Sequence, residues 1–210
     1  MKKPKNPEKY RKLFYETARQ KILEHLFKYP DVEFSLSDLA RDAGVSKANI
    51  GDLLKEFEQD GLIKITPLTK IWRIRANQQN LIFIRSKIVF NLNYIYQSGL
   101  VELLNELYNN PRAIILFGSF RTATDISTSD IDIAIETDEE IPEGHTSSSL
   151  KEAVVNKKSD LAVVINLEKE INRQIQVHLI SKKSRDKVDV NVFNNIANGI
   201  ILSGFLEVRP

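Results

Sequence analysis

Hydrophobic positions change their spacing several times along the chain, and each change marks an element. Between Pro7 and Tyr29, the residues Leu13, Phe14, Ala18, Ile22, Leu26 and Phe27 recur at helical intervals until Tyr29-Pro30-Asp31 ends the run. Two more helices follow. Ser37 is placed to cap a short one carrying Leu39 and Ala40, and Gly44 supplies a tight turn after it. Ser46 is placed to cap the next, with Ile50, Leu53, Leu54 and Phe57 on one face and Gly61 closing it. Residues 62–65 and 71–75 then alternate like two short strands around Pro67, Leu68 and Thr69.

Residues 77–110 read as helix with a break at Ser98-Gly99. The first part spreads Leu81, Ile82, Ile84, Ile88, Val89, Leu92 and Ile95 over more than one face, as in a helix buried from several sides or used as a subunit contact. The second part keeps Val101, Leu104 and Tyr108 on one stripe and stops before Pro111. Residues 113–117 (AIILF) are wholly apolar, the pattern of a buried strand, and Gly118-Ser119 follows at once. After FRTATDISTS, the run Asp130-Ile131-Asp132-Ile133-Ala134-Ile135 alternates, so that both carboxylates share one face of a strand while the isoleucines face a core. A helix over 159–172 and a strand over 175–180 complete the pattern.

Composition narrows the classes. The chain has 210 residues and 42% apolar content, enough for one or two ordered domains. It contains no cysteine, which excludes disulfides, thiolate zinc sites and cysteine nucleophiles. No apolar run approaches the ~20 residues of a membrane helix, and the opening MKKPKNPEKYRK is too polar for a signal peptide. A cytoplasmic protein without a membrane partner is expected. The net charge of +2 is unevenly spread: residues 1–30 carry nine basic and three acidic side chains, residues 111–210 twelve and fifteen. A basic head on an acidic body suits a polyanion partner, and equally a solvated terminus.

The chemistry concentrates in residues 117–133. Glycine at a strand end lets the backbone approach an anion closely, and exposed amides with the Ser119 hydroxyl can then hold phosphate oxygens. Two carboxylates one strand-step apart repel each other, and a divalent cation with oxygen ligands relieves that repulsion. A phosphate cradle beside carboxylate-held Mg²⁺ (or Mn²⁺) is the equipment for in-line phosphoryl or nucleotidyl transfer. Gly-Ser can also be a plain turn and Asp-x-Asp a solvated edge; only their co-occurrence after a buried strand points to a site.

Phe117-Gly118-Ser119, followed by Ser129-Asp130-Ile131-Asp132-Ile133 and by Asn198-Gly199-Ile200-Ile201-Leu202, resembles the DNA polymerase beta-like nucleotidyltransferase superfold. Over about residues 100–210 the likeness is to the minimal nucleotidyltransferases of archaea and bacteria. The resemblance implies an NTP substrate held by Gly118, Ser119, Arg121 and Ser129, with Asp130 and Asp132 as catalytic metal ligands. The acceptor stays open among protein, RNA and small molecule. Active members add a third carboxylate from a later strand, but here that strand offers only Gln174, Gln176 and His178 on its polar face. Glu136 shares the face of Asp132 but lies four residues on, ~13 Å away. Glu168, Glu170 and Asp160 are assigned to the solvated face of the preceding helix. His178 is either a general base or, as favoured here, a structural histidine. One-metal catalysis, an acid from elsewhere, and a nucleotide sensor without turnover all remain open. Residues 137–149, including His145, read as an acidic surface loop.

The order helix, helix, glycine turn, helix and ribbon over about residues 10–75 resembles the winged helix-turn-helix domains of prokaryotic regulators. That resemblance implies double-stranded DNA as partner, with Ser46, Lys47 and Asn49 at the major groove and Lys70, Arg73 and Arg75 on the backbone. Asp52, Glu56, Glu58 and Asp60 on the same helix leave a docking or dimerisation role open, and a homodimer would suit the apolar connecting helix. The expectation is an α+β chain: a winged helix-turn-helix domain over 1–76, a connecting helix over 77–98, and a minimal nucleotidyltransferase domain with a mixed sheet and flanking helices over 99–210. The alternative is a DNA-binding regulator whose second domain only senses nucleotide.

Overall fold

A computed structural model describes residues 17–69, 71–138, 147–181, 183 and 188–207. The chain packs as two compact units that divide between Asn93 and Tyr94.

The first unit opens with α1 (Ala18–Lys28), whose entry is capped by Thr17 Oγ1 accepting the Gln20 N–H. Helix α2 (Leu36–Asp42) is capped by Ser35, not Ser37: Ser35 Oγ accepts the Asp38 N–H, and Ser37 lies inside the first turn. Gly44 takes φ +63° between α2 and α3 (Lys47–Gln59), where Ser46 caps the Ala48 N–H as its sequence position predicts. Strands β1 (Ile63–Leu68) and β2 (Ile71–Ala76) pair antiparallel with Ile65 opposite Ile74. Pro67 thus belongs to β1, opposite Trp72, rather than to the turn; a two-stranded ribbon is all edge and tolerates a missing N–H. Phe34 adds a bridge to this ribbon, exchanging both backbone hydrogen bonds with Ile74.

Ile22, Leu26, Leu39, Ile50, Leu54, Phe57 and Ile74 form the centre of this unit's core. Arg19 ties α1 to α3 through Glu56 (3.1 Å) and Asp60 (3.0 Å), with its guanidinium 4.7 Å above the Phe57 ring. These pairs are solvent-exposed, so the apolar contact beneath them contributes more to stability than the charges do.

Helix α4 (Leu81–Gln97) starts where Asn80 Oδ1 accepts the N–H groups of Ile82 and Phe83. Its buried stripe is Phe83, Lys87, Asn91, Tyr94 and Ile95, while Leu81, Ile82 and Val89 are each more than half exposed. The expectation of a helix buried on several sides is therefore corrected: one stripe is buried, and two of its members are polar.

The second unit contains α5 (Leu100–Leu107), β3 (Ala113–Phe117), α6 (Gly118–Thr122), β4 (Ile131–Thr137), β5 (Ser147–Ser149), α7 (Leu150–Ala153), α8 (Lys158–Ile171), β6 (Ile175–Ser181), α9 (Val190–Ala197) and β7 (Ile200–Gly204). Its five strands make one mixed sheet in the order β5-β6-β4-β3-β7, with β4 and β6 parallel and every other neighbour antiparallel. This is the mixed α+β architecture expected of the segment. Ile131, Ile133 and Ile135 are fully buried, as the alternation predicts. The opposite face carries Phe117, Asp132, Gln176 and Ser149 in one cross-strand row, then Ile115, Ala134, His178 and Ser147 in the next. Ser147–Ser149 is thus an edge strand and not loop, and Ser149 goes on to cap α7 with a capping box to Glu152. Strand β7 reaches β3 because Gly199 has no side chain; a Cβ there would lie 2.8 Å from the carbonyl oxygens of Ile196 and Leu116. Among the described residues no helix is long and apolar enough to cross a membrane.

Candidate active site

The register of β3, β4 and β6 brings three chain segments to one end of the sheet. Phe117 at the close of β3 lies opposite Asp132 near the start of β4, and Asp132 lies beside Gln176 near the start of β6. Gly118 follows with φ +71°, a conformation that disfavours any side chain. A second constraint acts at the same atom: a Cβ on Gly118 would collide with the Asp132 carboxylate, lying 3.1 Å from its Cγ. The motif glycine therefore exists to let an acidic side chain rest against the backbone that opens α6. Ser119 continues that turn, its carbonyl accepting the Thr124 N–H at 3.1 Å and the Thr122 hydroxyl at 3.1 Å. Arg121 sits in the same short helix, and its Nε is buried without a hydrogen-bond partner among the described residues.

His178 Nε2 lies 3.3 Å from Asp132 Oδ1, and its ring meets Phe117 edge-on at 5.0 Å. The histidine favoured above as structural is thus a partly exposed wall of the site that touches one of its acids. Asp130 stands just before β4. Burial pushes its carboxyl above the ordinary carboxylate range, and the neighbouring charges of Asp132 and Glu168 add to the shift. Among the described residues no three histidine, cysteine or acidic side chains cluster tightly enough to hold a metal ion by themselves.

Ser129 is committed to the backbone: its hydroxyl accepts the Ile126 N–H at 2.9 Å, and its own N–H donates to the Ile126 carbonyl at 3.0 Å. That turn is clamped from below. Asp125 and Arg173, each about 1% exposed, form an ion pair at 3.1 Å. Arg173 Nη1 also donates to the carbonyls of Ser127 (3.3 Å) and Asn172 (2.9 Å). The Ile131 N–H donates to the Gln174 carbonyl at 2.8 Å, so the loop that presents Asp130 is tied to the start of β6 on both sides of the acid.

Glu168 corrects a second expectation. It is buried, not solvated: Oε1 accepts the Ile175 N–H at 2.9 Å and Oε2 pairs with Lys151 Nζ. The signal was present in the helical period, since residue 168 falls on the stripe defined by Val164, Leu167 and Ile171. Glu136, set aside above as too distant, is fully buried and pairs with Arg112 at 3.5 Å. Asp125 and Arg173 carried no sequence signal, because their partnership spans 48 positions.

In the other unit, Ser46 and Lys47 are exposed at the start of α3. The Asn49 side chain, Lys70 and His145 lie outside the described residues. Arg73 and Arg75 are not unopposed cations: Glu33 lies 3.5 Å from one and 3.7 Å from the other.

The family model described as polymerase beta, nucleotidyltransferase matches residues 100–204. Searches of curated proteins and of solved structures gave no significant match.

Proposed function

This chain belongs to the polymerase beta nucleotidyltransferase family, and from that premise we propose that it transfers a nucleoside monophosphate from an NTP to an acceptor hydroxyl with Mg²⁺ or Mn²⁺. The observation that carries the reading is the contact between Gly118 and the Asp132 carboxylate, which sets a backbone phosphate cradle directly against an acid. Gly118 and Ser119 hold the triphosphate, and the Arg121 guanidinium, with its partnerless Nε, offsets phosphate charge. Ser129 acts through the turn it closes rather than as a phosphate ligand.

Asp130 and Asp132 fit one divalent cation. Two carboxylates with phosphate and water oxygens are a customary Mg²⁺ environment, and the upward shift of Asp130, due first to burial and then to the charges of Asp132 and Glu168, is one that a bound cation would offset. When bound, the cation supplies charge neutralisation to the triphosphate. His178 steadies the Asp132 carboxylate through its contact with Oδ1. In the transfer, an acceptor hydroxyl gives up its proton to water as its oxygen forms a bond to the α-phosphorus, the bond to the bridging oxygen breaks, and pyrophosphate leaves. Gln176, beside Asp132, can lend a carbonyl oxygen but no charge. Calorimetric titration with each NTP, with and without Mg²⁺, tests the assignment. Wild type is expected to bind only with metal, and Asp130→Asn/Asp132→Asn to lose at least tenfold in affinity; equal binding by the variant refutes it.

The element order α1-α2-α3-β1-β2 and the exposed Ser46-Lys47 entry to α3 support a second reading of the first unit as a DNA-binding winged helix. A chain that senses nucleotide and regulates transcription would use the same two units without turnover. In that reading duplex affinity falls steeply with salt and drops on Lys47→Ala, and no label is transferred from α-labelled NTP. The pairing of Arg73 and Arg75 with Glu33 weakens their value as backbone contacts.

A further inference from the structure

A cavity of about 530 Å³ opens beside Asp130, within the size range of small-molecule sites. Its walls come from the loop Ser127–Asp130, from Lys151 in α7, from the last turns of α8, and from Arg173 and Gln174 ahead of β6. In the strand order β6-β4-β3, it occupies the β6 flank of the acid, while Gly118 and Ser119 stand on the β3 flank. A triphosphate on one flank and a second molecule on the other would meet at Asp130, the one of the paired acids that lines the cavity.

We propose that this cavity is the acceptor subsite and takes a hydroxyl-bearing phosphate ester of about ribose size. The proposal rests on the nucleotidyl-transfer reading above. The wall chemistry selects the class. Among the described residues no aromatic ring lines the cavity and Ile165 is its one apolar wall residue, so neither a nucleobase nor a tyrosine ring finds a stacking surface there. Thr128, Asn172 and Gln174 offer instead the hydrogen-bonding that a polyol requires, and Ser129, whose oxygen already accepts the Ile126 N–H, keeps only its hydroxyl proton to donate. The internal charges are largely matched: Lys151 pairs with Glu168, and Arg173 with Asp125. Lys169 is exposed at the rim and has no ion-pair partner among the described residues, which leaves it to hold an anionic group. The buried Asp125–Arg173 pair and its carbonyl contacts keep the Ser127 wall in place before any ligand arrives.

Such chemistry comes from two sources, a free sugar phosphate or the 3′ end of an RNA, where a ribose hydroxyl adjoins a phosphate. The test uses the full chain and ¹⁵N-resolved NMR, titrating ribose 5-phosphate and, separately, an RNA trinucleotide with a free 3′-hydroxyl, both without NTP. Shifts are expected at Ser127–Asp130, Lys169 and Asn172–Gln174, and the tighter probe identifies the source. Lys169→Glu at the exposed rim should weaken that binding at least tenfold, as should Thr128→Glu on the facing loop, with Mg²⁺–ATP affinity within twofold of wild type. Neither probe shifting these residues, or both variants binding like wild type, overturns the subsite. A parallel Mg²⁺–ATP titration reports on the nucleotide site alone, so loss of one assignment is separable from loss of the other.

Discussion

Replacing Gly118 by alanine is the sharpest perturbation of the site, because one methyl group violates two constraints at once. At φ +71° an alanine costs about 1–2 kcal/mol relative to glycine. The added carbon would also overlap the Asp132 carboxylate, 3.1 Å from its Cγ, and clearing it moves that carboxylate by about 1 Å. His178 Nε2 lies 3.3 Å from Asp132 Oδ1, so a shift of that carboxylate disturbs this contact as well. A displacement of about 1 Å at a reacting centre costs on the order of 10²-fold in rate, or about 2.7 kcal/mol of transition-state stabilisation. Gly118→Ala should therefore lower kcat/KM for label transfer from α-labelled NTP roughly 10²-fold and metal-dependent NTP affinity by about tenfold. Thermal unfolding should shift by only about 2–8 °C. A folded Gly118→Ala protein with wild-type nucleotide affinity and transfer would refute the argument that this glycine sets the position of Asp132.

Arg173→Met leaves Asp125 buried without its ion partner, and urea unfolding should show a loss of about 3–5 kcal/mol; a loss below 1 kcal/mol would mean that the pair is not what holds the Asp130 loop. His25 titrates against burial, between the rings of Tyr29 and Phe34. Desolvation holds its pKa below 6.5, the attraction of Asp42 opposing this and the repulsion of Lys28 adding to it. The unfolded chain then binds a proton that the folded one refuses, so stability should fall as pH drops below about 6.5, until the lowered folded pKa is passed. His25→Phe should flatten that part of the pH profile of the denaturation midpoint, and an unchanged profile would assign the dependence elsewhere.

Local order was legible from residue pattern. Helices α3, α5 and α8, the apolar β3, the alternation of β4 and the cap at Ser46 depend on neighbours within about four positions, and each formed where its pattern lay. The first helix's expected start at Pro7, with Leu13 and Phe14, lies outside the described residues. Failures at this level were equally local: Ser35 and Ser37 are both competent caps, and only the helix start decides between them. The paired acids and the Gly-Ser turn were legible as a constellation because strand-to-strand adjacency preserves their order in the chain.

What only the tertiary structure decided are partnerships between distant positions. The 46-residue separation of Asp132 and His178 and the 48-residue separation of Asp125 and Arg173 have no periodic trace, and neither does the approach of Asp132 to Gly118. Glu168 shows the reason: a carboxylate on an apolar stripe reads as solvated until a lysine and a strand N–H are brought to it. Sequence by itself determined most of the helices and strands, though not the edge strand Ser147–Ser149, and which residue types could do chemistry. The sheet register determined which of them meet, because burying a charge is tolerated only where folding delivers its partner.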